Sequence, residues 1–295
     1  MAKTVEEYLA ALKKELTGSD QATIQDALSD AEEHLRMAVA SMRDNKPDLS
    51  EEAALQTAID QYGSPAETAA AYVEIERRTP SGLSRESGKP GPIIGRFFGV
   101  YADPRAWGAI LYMLIALVTG TLYFTWAVAG LMFSVSFSIF IFGLPFALLF
   151  LLSIRGLALL EGRIVEALLG VRMPRRPLFG HPGMKWFERM KLLVTDKYSW
   201  LAILYMLLQM PLGTLYFSLL TTLFVFSLSL IATPVIQVVL KIPTVTIGYT
   251  EYFLPLWALV LIALGGILVA TLTMHLARGI GWLHGRYAKT LLVTE

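Results

Sequence analysis

Two aspartates and four arginines recur in register along this sequence, and they are the residues best placed to do electrostatic work. Asp103 and Asp196 lie 93 residues apart. Arg155 and Arg163 recur as Arg278 and Arg286, 123 residues further on. Each aspartate precedes a long apolar run and each arginine pair follows one. The chemistry on offer is therefore ion pairing at a membrane rim, each aspartate with an arginine of its own copy. Interfacial snorkelling without pairing is the alternative.

Other chemistry finds little footing. The chain has no cysteine, which excludes a disulfide framework, a thiolate nucleophile and Cys-based metal sites. The four histidines, His34, His181, His275 and His284, include no His-Glu-x-x-His motif. His275 and His284 stand nine residues apart, off a shared helical face. No Gly-x-Ser-x-Gly elbow, phosphate-binding loop or dinucleotide fingerprint is present. The expectation is a protein that is not an enzyme and holds no metal or cofactor.

The elements that would carry the charged residues follow from composition. Of the 295 residues 55% are hydrophobic and only 17% charged, with a mean hydropathy of +0.54; soluble domains carry about 25% charged residues. The net charge of +1 hides a split: residues 1–76 carry −10, residues 77–106 carry +4, and residues 107–295 carry +7. An acidic head, a basic neck and an apolar body are thus expected, with no secretory signal at Met1.

The head, residues 1–78, predicts four short helices. Thr4 with Glu7 forms a capping box, Gly18 a stop, Asp20 and Ser50 further caps, and Gly63 the end of the third helix. Ser64-Pro65-Ala66-Glu67 opens the fourth, with proline at its first position. Tyr8, Leu12, Leu16, Ala31, Leu35, Leu55 and Ala58 fall on inward faces. Residues 79–100 are rich in Pro, Gly and Ser and predict a linker, with Arg77, Arg78, Arg85, Lys89 and Arg96 before the apolar body.

From Trp107 to Ile154 there is no charged residue, a run of 48, and another uncharged run covers Leu201 to Leu240. About 20 residues span a bilayer. Residues 107–124 (WGAILYMLIALVTGTLYF) match 200–217 (WLAILYMLLQMPLGTLYF) at twelve of 18 positions, and 155–169 match 278–292 more loosely. The expectation is two copies in the same orientation, about 101–170 and 194–293. Two spans each are predicted, near 107–128, 131–153, 200–222 and 253–275, with a turn at Ala129-Gly130 and an outward or re-entrant piece at 231–252. Six spans is the other count. Trp107, Tyr112, Trp200 and Tyr205 suit interfacial anchoring. The basic neck, the 154–199 connection and the tail all fall on one side, which the positive-inside rule makes cytoplasmic, together with the N-terminus.

Two resemblances rest on these residues. YLAALKKEL, AEEHLR and EEAALQTAIDQYGSPAETAAAYV resemble the HAAS signalling domain. The Trp/Tyr-rich openings and the Arg-Gly…Gly-Arg segments are similar to a bacterial sensor-type membrane domain. The resemblance implies a multi-pass protein of a bacterial or archaeal cell membrane that relays signals, with a PadR-like transcription regulator as cytoplasmic partner. No kinase is expected after Glu295, so output would pass to that separate partner. Direct nucleic-acid binding is not expected; a homo-oligomer is allowed. The alternative function is a small permease or channel for an apolar solute with a regulatory head. The fold class expected is all-α.

Overall fold

The structure, a computed structural model, describes residues 2–46, 48–78, 93–137, 143–174, 191 and 193–293. The linker at 79–92, most of the basic connection after Met173, and His181 lie outside the described residues. The described residues include α1 Val5–Glu15, α2 Gln21–Asn45, α3 Glu51–Tyr62, α4 Pro65–Arg78, α5 Ile93–Phe98, a 3-10 turn at Gly99–Ala102, α6 Pro104–Phe137, α7 Gly143–Leu169, α8 Lys197–Val239, the short two-stranded sheet of β1 Val245–Ile247 and β2 Thr250–Tyr252, and α9 Leu256–Leu292. They form two compact units.

The first unit contains residues 1–84, 125–207 and 286–295. Its head assembles from the capping residues that the sequence marks. Thr4 Oγ1 accepts from the Glu7 N–H at 3.2 Å while Glu7 reaches back to the Lys3 N–H at 2.7 Å. Ser64 and Glu67 close a reciprocal box, at 3.3 and 2.9 Å. Gly18 and Gly63 end α1 and α3 at φ 98 and 109, where a Cβ would be strained. Tyr8, Leu12, Leu16, Ala27, Ala31, Leu35, Ala54, Leu55, Ala58 and Ala69 fill the core. The Tyr8 hydroxyl donates to the Gly63 carbonyl at 2.8 Å, tying α1 to the α3–α4 turn. On α4 Ala69 is buried, while Ile75 is 53% exposed.

In the same unit α6 and α7 form an antiparallel hairpin. The turn expected at Ala129-Gly130 is absent: α6 runs on to Phe137. Gly130 serves close packing instead, because the Phe150 ring lies where its Cβ would stand. Trp126 Nε1 donates to Ser153 Oγ at 2.8 Å, and Phe137 meets Phe146 edge-on at 5.8 Å.

The second unit contains residues 85–124 and 208–285. Here α8 likewise outruns expectation, continuing through Pro211 and Pro234 to Val239. The outward piece predicted at 231–252 is therefore helix for its first nine residues and a β1–β2 hairpin thereafter. α8 and α9 then pack antiparallel, with Ser227 Oγ donating to the Gly266 carbonyl at 2.9 Å. Gly266 admits Leu230 and Ile231 so closely that a Cβ would come within 2.9 Å of both. Among the described residues α6, α8 and α9 are long and apolar enough to cross a membrane.

Candidate functional site

Polar groups inside apolar helices are expensive and concentrate where a membrane protein works. In the second unit they gather along one stretch of α9. Arg278 Nη1 lies 3.1 Å from Asp103 Oδ2, and Asp103 Oδ1 accepts from the Arg105 N–H at 3.0 Å, capping α6. His275 Nε2 faces the Phe97 carbonyl at 2.9 Å, so that nitrogen carries the proton. One and a half turns beyond Arg278, His284 is 1% exposed. Its Nε2 is 2.5 Å from the Tyr112 hydroxyl and its Nδ1 3.2 Å from the Tyr216 hydroxyl. Gln209 Nε2 donates to Tyr112 at 2.8 Å. One assignment links all four groups: Gln209 donates to Tyr112, Tyr112 to His284, and His284 to Tyr216.

This cluster sits where α6 and α8 cross. Gly120 faces the Gln209 carbonyl, which a Cβ would meet at 2.5 Å, and Gly213 abuts the Ala116 carbonyl. Glycine at both positions lets the backbones touch. Since 120 meets 209 and 116 meets 213, the two helices run antiparallel. Copies in the same orientation were expected, yet these two matching helices point in opposite directions. Sequence identity at an offset records residue order and carries no information on direction relative to a neighbour.

In the first unit the same residue types meet. Arg155 pairs with Asp196, and its Nε lies 3.3 Å from Ser199 Oγ. The Tyr205 hydroxyl donates to Glu161 Oε1 at 2.9 Å, with both residues fully buried. The Tyr205 ring stacks on Tyr287 at 5.2 Å. At the end of α9, Lys289 Nζ pairs with Asp20 Oδ2, the residue whose other oxygen caps α2 through the Ala22 N–H.

The sequence register relates the two sets. Asp103 and Asp196, Tyr112 and Tyr205, and Trp107 and Trp200 all correspond at an offset of 93; Arg155 and Arg278, and Glu161 and His284, correspond at 123. Each aspartate was expected to pair within its own copy. Instead Asp103 takes Arg278 and Asp196 takes Arg155, across copies. The reason is directional: α6 runs alongside the closing part of α9, and the start of α8 alongside α7.

The remaining candidates divide. Arg163 pairs with Glu166 on its own helix at 3.1 Å, and Arg286 is exposed on α9. Trp107 and Trp200 are half exposed, and their indole N–H groups donate to the Tyr101 and Val194 carbonyls at 2.9 and 2.8 Å. Tyr112 and Tyr205, read as interfacial anchors, are buried instead, because their hydroxyls have partners on α9 and α7. The sequence reading missed Glu161 and His284, although their matching places in the second repeated block were a usable signal. Among the described residues no three His, Asp or Glu side chains gather to hold a metal ion.

The model of the family described as "Putative sensor" matches residues 112–292, more than half of the chain. The chain belongs to this family. The matched range of the sensor family begins at Tyr112 and ends at Leu292, so it includes Tyr205, Glu161, His284 and the crossing glycines. No curated protein and no solved structure matches the chain.

Proposed function

We propose that this sensor-family protein is a non-enzymatic membrane sensor that relays a membrane or envelope cue through its helical head to a separate cytoplasmic regulator. Membership of the family and the three apolar helices support the membrane and sensor parts. The observation that carries the relay is the Lys289–Asp20 pair. It joins the last turn of α9 to the cap of α2, so a shift of α9 acts directly on a helix start in the head. The HAAS-like helix order points to a PadR-like partner. The basic neck ahead of α6 supports a cytoplasmic N-terminus, and the two matching sets of contacts support a duplicated membrane body.

Asp20→Asn tests the relay cleanly, because asparagine caps as well as aspartate but cannot pair with Lys289. Full-length protein in liposomes should show faster amide exchange in the first turns of α2 for this variant and for Lys289→Ala. Exchange identical to that of the parent protein in both would overturn the relay.

One observation favours the other reading, a facilitator for an apolar solute. The antiparallel crossing of α6 and α8 holds the chain Gln209–Tyr112–His284–Tyr216 inside apolar helices, and polar groups at that depth mark solute paths in membrane proteins. Flux of small apolar solutes into liposomes holding the protein decides between the two.

A further inference from the structure

Gln237, buried near the end of α8, fixes the segment that follows. Its Nε2 donates to the Leu254 carbonyl at 2.7 Å, and its Oε1 accepts from the Leu254 N–H and the Thr244 hydroxyl, each at 2.9 Å. Between these ties β1 and β2 pair antiparallel, with Val245 opposite Tyr252 and Ile247 opposite Thr250. Gly248, at φ 65, is the first of the two turn residues, the place where a type II′ turn calls for glycine. The ribbon is thus held in shape although two strands of three residues are not stable alone in water.

What this shape presents is aromatic. Tyr249 at the tip is fully exposed, and Tyr252, Phe253 and Trp257 are 47%, 59% and 69% exposed. Lys241 and Glu251 are the charged residues from 240 to 257, and they cancel. Amphipathic rings of this kind gain most where one end is apolar and the other wet. The ribbon is also continuous at both ends with lipid-facing helix surface: Leu240 on one side and Leu256 on the other are 60% and 71% exposed.

We propose that residues 240–257 form a membrane-interface anchor whose aromatic tip lies at the headgroup–acyl boundary of the bilayer that α8 and α9 cross. The occupant of this surface is lipid, held by ring burial and not by attraction to anionic headgroups, since the segment has no net charge. The anchor fixes the depth of the α8 and α9 ends, and it depends only on the membrane reading, not on the relay.

The absence of native cysteine makes the test direct. Tyr249→Cys and, separately, Phe253→Cys are labelled with a nitroxide in the full chain, which is placed in phosphatidylcholine vesicles. Collision rates with oxygen and with a water-soluble nickel chelate are compared with those of Asp48→Cys on the exposed loop of the head. Oxygen preference raised severalfold over the Asp48→Cys label at either site, and unchanged on adding phosphatidylglycerol, is the expected result. Values equal to the Asp48→Cys label at both sites place the tip in water and overturn the proposal. Spin–spin broadening between chains without oxygen preference assigns the surface to a second copy and overturns it too.

Discussion

Asp103 is bound by Arg278, 175 residues away, while its counterpart Asp196 is bound by Arg155. The pairs match in chemistry but differ in setting. Arg278 is 45% exposed and Arg155 only 12%. An exposed pair is worth about 0.5 kcal/mol, whereas removing one partner of a buried pair costs about 3 kcal/mol because a buried charge is left short of its partner. Asp196→Asn should therefore destabilise the protein far more than Asp103→Asn. Denaturant unfolding in detergent, with double-mutant cycles against Arg155 and Arg278, checks the order.

The crossing glycines give a sharper contrast. Gly120→Ala and Gly213→Ala each push a methyl group into a backbone carbonyl, and overpacking of this kind costs about 1–3 kcal/mol. Gly265→Ala on α9 meets nothing within 4 Å and should be neutral or gain up to about 1 kcal/mol from helix propensity. Thermal unfolding of the three variants in one detergent separates them.

The head should weaken in acid. Hydrogen bonds from Ser64 hold the Glu67 carboxyl below its ordinary value of 4.5. A hydrogen bond from its own backbone N–H, and a second donated by the Arg36 guanidinium, do the same for Glu6. A lowered carboxylate contributes stability that is present above the unfolded value and lost as pH falls through the folded one. Amide exchange at the starts of α1 and α4 should accelerate below about pH 4.5, and Glu67→Gln should flatten that rise at α4.

The head was legible because its signals are local. Thr4, Gly18, Asp20, Ser50, Gly63 and Ser64 each act within a few residues, and each stands at the boundary it marks. The membrane body was legible as apolar helix but not in its details, since uniform hydropathy has no internal punctuation. Gly130 read as a turn because glycine breaks helices in water, and here it accommodates Phe150. Pro234 likewise sits within α8. The pairing of Asp103 escaped because residue types name a partner's charge and not which of two matching arginines supplies it. Tyr112 and Tyr205 escaped because an aromatic near a helix start suits an interface and a core equally well.

At the crossing of α6 and α8, position 116 meets 213 and position 120 meets 209, and those are the same two positions of one repeated segment seen twice. Such a contact is isologous, the geometry of a two-fold dimer written into a single polypeptide. Each segment therefore carries both the surface that is packed and the surface that packs it. A change at Gly120 strains only its seam with position 209, and one at Gly213 only its seam with position 116, so one polypeptide can break a two-fold contact on one side at a time.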